Sequence, residues 1–237
     1  MAGAMTTISM SDGTAVEAYV AEPSDGQPER RPGLGLVILS EIYNANHWVR
    51  SVADGYAKEG FVCLAPDLYW RQRPGQYLDY TQEGQKVARE LGHAMDLDAF
   101  TADMADYARC VSALSQCSGR IGTVGFCLGG KLAFLAAARG LVDAAVGYYA
   151  VQLDQFLDEA ANLARPLMLH FAQLDEHVPQ ETVVLVKQAL AAHTQVAIHD
   201  YDGTDHGFNR FGYPPYHPQA AAVALERSLA FLRTHLS

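Results

Sequence analysis

The sequence has few of the features that would place a protein in a membrane or on a nucleic acid. No apolar run approaches the ~18 residues that a membrane-spanning helix needs, and no basic stretch followed by an apolar one predicts a signal peptide. Basic residues are outnumbered, with 17 Lys and Arg against 27 Asp and Glu, which gives a formal net charge of −10. Because an acidic surface repels phosphate backbones and anionic lipids, we expect neither nucleic acid nor membrane as a partner.

Cysteine is also rare, with four residues in a chain of 237. Cys110 and Cys117 share a predicted helical stretch, where seven positions separate them by about 10 Å along the axis, too far for a disulfide. Scattered cysteines in a chain of this length favour a reducing compartment, so we expect a cytoplasmic protein. We expect Cys63, Cys110 and Cys117 to be small apolar packing residues. Cys127 differs from them because it lies in a glycine-rich segment.

Short apolar runs alternate with helical patterns along the whole chain. The runs predict strands near residues 14–20, 36–40, 61–65, 121–125, 143–149, 166–171 and 195–201, and the patterns between them predict helices near residues 47–59, 81–91, 97–115, 131–139, 179–192 and 218–235. Such alternation predicts an α/β fold, a mostly parallel central sheet flanked by helices on both faces. The length and the 49% hydrophobic content fit a single domain over residues 1–237.

In a sheet of this kind, ligands bind beyond the carboxyl ends of the strands. The polar residues that directly follow predicted strands are therefore the ones to inspect for chemistry. They are Glu41, Asp67, Cys127, Asp175 and His206. The predicted organisation thus gathers a candidate site before any motif is considered.

Cys127 lies in the segment Gly125-Phe126-Cys127-Leu128-Gly129-Gly130, between a predicted strand and a predicted helix. This is the pattern of a nucleophile elbow, G-x-S-x-G, with cysteine in place of serine. Side chains at the flanking glycines would collide with neighbouring backbone in such a turn. The helix N-terminus favours a thiolate, and the amide of Leu128 can donate to an oxyanion. The alternative is a tight strand–helix turn with a buried cysteine.

Asp175 and His206 complete the order nucleophile, acid, histidine that α/β-hydrolases use. In this interpretation His206 removes the thiol proton and later protonates the leaving alkoxide, while Asp175 holds the imidazole in the required tautomer. His177, in the loop of Asp175, is expected to be a surface residue. Glu41 is either an exposed loop acid, a second base, or a partner for an arginine such as Arg210.

Two further interpretations remain open. His199, Asp202 and His206 could support a metal-assisted hydrolase, although the segment fails the spacing of a calcium loop. Alternatively, Cys127 could be a redox-sensing thiol in a protein that has no catalytic activity. An intact acid and histidine disfavour that second interpretation, because a sensor needs no oriented base.

The whole pattern resembles the dienelactone hydrolase family of the α/β-hydrolase superfamily. The resemblance covers nearly the entire chain and rests on ordered segments: 40–43 with Asn46, 65–71, 125–130, 145–149, Asp175, and 206–210. It implies a carboxylic ester hydrolase that opens a small carboxylated lactone, such as dienelactone, to maleylacetate, with no cofactor and no metal. Hydrolysis of other small esters is the alternative. The expected partner is a small, anionic ester or lactone, and the expected state is a monomer or weak homodimer.

The resemblance also implies roles for particular residues. The triad falls on Cys127, Asp175 and His206, and the active-site glutamate falls on Glu41, which an arginine matching Arg210 holds until a substrate carboxylate takes over that arginine. The freed glutamate then accepts the thiol proton, so a thiolate forms mainly with substrate present. The remaining implied roles are oxyanion binding by the amides of Leu128 and Ile42 and substrate binding by Arg210, Lys86, Tyr43 and Tyr149. Lys86 departs from the family, which has an arginine there, and it loses the bidentate fork.

Overall fold

The computed structural model describes residues 2–23, 33–114 and 117–237. The chain divides into two compact units, Met1–Gly122 and Thr123–Ser237. The expectation of one domain over residues 1–237 stays a prediction. Within the described residues, every helix falls short of the length and apolar character that crossing a bilayer requires.

The described part of the first unit contains four complete strands and three helices. They are β1 (Ala4–Ser9), β2 (Ala15–Ala21), β3 (Gly33–Leu39), α1 (His47–Lys58), β4 (Phe61–Pro66), α2 (Gln82–His93) and α3 (Leu97–Ser112). The strand order is β1-β2-β4-β3, in which β3 and β4 run parallel and β2 is antiparallel to both β1 and β4. Every residue of β4 is buried, as expected for a strand covered on both faces. The predicted end of α3 at residue 115 lies outside the described residues.

Side-chain caps determine where the helices of the first unit begin. The side chains of Asn46, Thr81 and Asp96 accept hydrogen bonds from the first-turn amides of α1, α2 and α3, respectively. Each cap satisfies an N–H group that has no partner within its helix. The loops after β3 and β4 are joined in turn by Asn44, whose amide donates to Asp67 at 2.6 Å.

The second unit contains the carboxyl end of β5 (Cys117–Phe126) and seven further elements. They are α4 (Leu128–Ala138), β6 (Ala144–Tyr148), a 3-10 helix (Leu153–Asn162), β7 (Leu167–Ala172), α5 (Gln180–Leu190), β8 (Val196–Tyr201) and α6 (Pro218–Leu236). The strand order is β5-β6-β7-β8, and β7 runs parallel to both β6 and β8. The 3-10 helix was not among the predicted elements. The prediction that Cys117 shares a helical stretch with Cys110 is wrong, because Cys117 begins β5.

Helix α4 forms the centre of the second unit, since all eleven of its residues are buried. It begins at Leu128, three residues before the predicted start, even though Gly129 and Gly130 are poor helix formers. Packing explains the difference, because a Cβ at Gly130 would lie 2.8 Å from the carbonyl oxygen of Tyr148 in β6. Glycine therefore lets the helix backbone approach the strand closely.

Candidate active site

Cys127 lies at the sharp turn between β5 and α4. Its backbone has φ 55° and ψ −111°, a conformation that non-glycine residues rarely adopt. Hydrogen bonds hold this strained turn: the amide of Cys127 donates to the carbonyl of Tyr148 at 3.0 Å, and its own carbonyl accepts from the amide of Lys131 at 3.2 Å. The cysteine is only partly buried, so its thiol is held at a defined position and is not sealed in the core.

The glycine before the nucleophile position is a steric requirement of this turn. A Cβ at Gly125 would lie 1.9 Å from the carbonyl oxygen of Gly129, a distance that no side chain tolerates. The turn thus needs a residue without a side chain two positions before Cys127. Leu128 is the first residue of α4, and an N–H group at that position has no partner within the helix.

Asp175 lies in the loop after β7, where its carboxylate is almost fully buried. Its Oδ1 accepts hydrogen bonds from the amides of His177 and Val178, at 2.8 and 3.1 Å. Its Oδ2 lies 2.7 Å from Nδ1 of His206, in the loop after β8. These bonds fix the carboxylate. Because Nδ1 of His206 is bonded to Asp175, Nε2 is left for a second partner.

That second partner is Cys127, whose side chain shares a hydrogen bond with His206. Burial lowers the pKa of the imidazole, but the negative charge of an ionised Cys127, together with the hydrogen bonds to Cys127 and Asp175, raises it to about 10. An imidazole with this pKa keeps a proton at neutral pH whenever the sulfur is ionised. The imidazole of His206 can therefore accept the thiol proton and later deliver it to a leaving group.

Aromatic rings surround the imidazole. The ring of Tyr149 lies 4.7 Å from the ring of His206, and the ring of His177 lies edge-on at the same distance. The hydroxyl of Tyr149 donates to Asn209 at 2.7 Å. His177 itself is exposed, which confirms its prediction as a surface residue, although its ring contacts the candidate base.

Arg210 lies in the same loop as His206 and is half-buried. Its amide donates to the carbonyl of Gly207 at 2.8 Å. A Cβ at Gly207, which has a φ of 82°, would lie 2.7 Å from Nη2 of the arginine. The missing side chain thus provides the space in which the guanidinium lies.

Within the first unit, Glu41 is 1% exposed, so the prediction of an exposed loop acid is wrong. The turn after β3 takes it inward, and the hydroxyl of Tyr80 donates to its Oε2 at 2.8 Å. The ring of Tyr80 packs against the ring of Tyr43 at 4.5 Å. Ile42, between these residues, is half-buried, whereas Lys86 is exposed on α2.

Two other candidates have different roles. The carboxylate of Asp67 accepts hydrogen bonds from the amides of Tyr69 and Gly75 as well as from Asn44, so it organises a loop. The ring of His199 stacks on the buried ring of His170 at 5.7 Å. Over the described part of the chain, no three His, Cys, Asp or Glu residues are grouped to hold a metal ion.

Several polar residues around these groups were not predicted. Tyr80 contacts Glu41, Asn209 contacts Tyr149, and Lys131 donates to Gln152 at 2.9 Å. The first two lie in loops, where sequence periodicity gives no information about contacts. Lys131 did carry a signal, because it is the only charged residue in the apolar segment LGGKLAFLAAA.

Comparisons with known proteins identify the family of this chain. The sequence profile described as the dienelactone hydrolase family matches residues 16–236. The chain belongs to the dienelactone hydrolase family. A carboxymethylenebutenolidase from Pseudomonas putida is 34% identical over 227 residues, covering 94% of this chain and 96% of that protein. A provisionally named carboxymethylenebutenolidase from Azospirillum brasilense is 39% identical over 236 residues, covering 98% and 100%.

Solved structures of this family confirm the fold. A crystal structure from Klebsiella pneumoniae, provisionally named a dienelactone hydrolase, matches with a TM-score of 0.84 at 28% identity, covering 98% of this chain and 99% of that one. The predicted α/β-hydrolase fold, with its mostly parallel sheet and helices, is thus confirmed, and so is the resemblance to the family. The protein is a hydrolase.

Proposed function

We propose that this dienelactone hydrolase family member opens a small, carboxylated lactone by way of a thioester on Cys127. Dienelactone, which would give maleylacetate, is the first substrate to test, since curated relatives carry the name carboxymethylenebutenolidase. The observation that carries the proposal is the hydrogen-bonded series of Asp175, His206 and Cys127 at a strained strand–helix turn. Other small esters are the alternative substrates, because a fold alone does not determine a substrate.

In the proposed acylation step, the ionised sulfur of Cys127 attacks the carbonyl carbon of the lactone and forms a C–S bond. The carbonyl oxygen takes the negative charge, for which we propose the amides of Leu128 and Ile42 as donors. Collapse of this intermediate breaks the ring C–O bond, and the imidazolium of His206 gives its proton to the departing oxygen. The product is an acyl thioester whose other end is an enol.

In the proposed deacylation step, water replaces the enzyme as the acyl acceptor. Neutral His206 removes a proton from the water as it attacks the thioester carbonyl, and the C–S bond then breaks. The carboxylic acid leaves, and the enol tautomerises to the ketone of maleylacetate. Asp175 stabilises the imidazolium in both steps by accepting its Nδ1 proton in a charge-assisted hydrogen bond.

We also propose that substrate controls ionisation of the thiol, as in the family that the chain resembles. Arg210 would hold Glu41 until the substrate carboxylate takes over the guanidinium. Glu41 would then accept the thiol proton and pass it to His206, which becomes the imidazolium of the acylation step. Burial of Glu41 supports this role, because a buried carboxylate is costly to leave without partners. Such control protects the sulfur, since a permanent thiolate is prone to oxidation.

The proposed substrate-binding residues are Arg210, Lys86, Tyr43 and Tyr149. The proposed setting is the cytoplasm, which the four free cysteines of the structure support. A monomer or weak homodimer that needs no cofactor, and that binds neither nucleic acid nor membrane, stays a prediction.

Replacing Arg210 with alanine tests the proposed substrate class. We expect KM for a carboxylated lactone to rise at least tenfold, because a charge-assisted hydrogen bond to the carboxylate is lost. KM for a neutral aryl ester should change less than about threefold. Steady-state kinetics on matched substrates with and without a carboxylate give both values.

Arg165→Ala is the matched control, since Arg165 lies in the same unit and pairs with Asp143 on the surface. It should leave both KM values unchanged. Equal losses on the two substrate classes in Arg210→Ala would contradict the proposal and show that Arg210 supports the loop only.

A further inference from the structure

Lys131 has no role in the chemistry described above, yet its position is unusual. It is 7% exposed within α4, where the other ten residues are uncharged and buried. Burying an ammonium group costs free energy unless the charge is used or compensated. The cost indicates that something in its surroundings benefits from a positive charge.

The helix geometry directs Lys131 toward the nucleophile turn. Lys131 follows Cys127 by four positions, and its amide donates to the carbonyl of Cys127, so the two residues lie one turn apart on the same side of α4. Side chains on a helix lean toward its N-terminus. The long side chain of Lys131 therefore extends back toward the end at which Cys127 lies.

The ammonium group is fixed at that end by the loop after β6. Nζ donates to Oε1 of Gln152 at 2.9 Å. The residue before Gln152 is Val151, whose amide donates to the carbonyl of Cys127 at 3.4 Å. The backbone of Gln152 has a φ of 58°, in the left-handed region. The partner that holds the ammonium is thus itself attached to the nucleophile turn.

The surroundings leave the charge of Lys131 available. Among the described residues, its hydrogen-bond partner Gln152 is neutral, and the ring of Phe156 lies 5.8 Å from Nζ. At the far end of α4, Arg139 pairs with Glu159 of the 3-10 helix. Burial lowers the pKa of Lys131, and the negative charge of an ionised Cys127 raises it.

We propose that Lys131 is a positioning residue that acts through Cys127, because its buried ammonium group, held by Gln152, stabilises the negatively charged sulfur. The inference rests on the proposed function, in which that sulfur is the nucleophile. It adds a second cation to the imidazolium of His206, which faces the sulfur from the loop after β8. Lys131 thereby lowers the cost of forming the thiolate without touching the substrate.

Alkylation of the thiol measures this effect directly. Iodoacetamide is neutral and reacts with the thiolate, so its rate constant at Cys127 is followed from pH 5 to 10 by peptide mass spectrometry. In Lys131→Met we expect alkylation at pH 7 to be roughly tenfold slower, with the midpoint of the profile at higher pH. The rates of wild type and variant should converge at the alkaline end.

Two controls separate charge from structure. Lys131→Arg keeps the charge and should react within about threefold of wild type across the profile. Gln152→Leu removes the hydrogen bond but keeps the ammonium, so its midpoint should shift in the same direction as that of Lys131→Met but by clearly less. Lys131→Gln supplies a second neutral side chain if the methionine variant does not fold.

Three outcomes would overturn the inference. A neutral variant could keep the wild-type pH profile, or the midpoint of Lys131→Arg could shift as far as that of Lys131→Met. The third is a midpoint shift in Gln152→Leu equal to that in Lys131→Met. Failure of the proposed function has a different signature. In that case Cys127→Ala would keep hydrolase activity, while alkylation of Cys127 in the Lys131 variants would still report on the charge.

Discussion

Replacing Cys127 with alanine is expected to lower kcat for dienelactone, and for a simple aryl ester, by about 10⁴-fold. The variant keeps the fold and the partnership of Asp175 and His206, but it has no atom that can form the C–S bond. Residual turnover would come from water activated by His206 beside the oxyanion donors. Steady-state assays with enzyme freed of wild-type traces measure the loss.

Cys110→Ala is the matched control, because Cys110 is a partly exposed free cysteine in the other unit. Its activity should equal that of wild type. Full activity in Cys127→Ala would contradict the mechanism, and wild-type sensitivity to iodoacetamide in that variant would place the reactive sulfur elsewhere.

Replacing Asp175 with asparagine should lower kcat by roughly 10³- to 10⁴-fold. The side-chain shape is retained, but the amide can no longer stabilise the imidazolium, and it favours the wrong tautomer of His206. The loss should appear in kcat with little change in KM, since Asp175 is buried and its Oδ2 is already bonded to the imidazole. Kinetics between pH 6 and 10 measure both constants.

Asp202→Asn serves as its control, because Asp202 is an exposed carboxylate in the loop of His206. That variant should retain activity within about twofold. If kcat of Asp175→Asn falls less than tenfold, the 2.7 Å contact with His206 is structural and another group orients the base.

The positions of Cys127, Asp175 and His206 follow from simple sequence patterns. Each residue follows the carboxyl end of a strand, β5, β7 or β8, and parallel strands end at the same edge of a sheet. The glycine at position 125 indicates the sharp turn, and the structure shows the backbone contact that requires it. These features depend on local sequence and on the strand period, which is why they are predictable.

Other features depend on contacts that local sequence does not encode. Strand β1 was not predicted because five of its six side chains are exposed and no apolar run marks it. Burial of Glu41 was not foreseen because it depends on a turn after β3 and on Tyr80, which lies 39 positions later. The contact of Lys131 with Gln152 likewise joins a helix to a loop with an unusual backbone conformation.

Direct detection of the covalent intermediate tests the central claim, that the sulfur of Cys127 carries the acyl group during turnover. Wild-type enzyme is mixed with a slowly deacylating aryl ester, quenched with acid, digested and analysed by mass spectrometry. The mechanism predicts an acyl mass on the peptide that contains Cys127, together with a burst of released phenol equal to the enzyme concentration. Rapid turnover with no acyl group on this peptide, or with the acyl group on another residue, would contradict it.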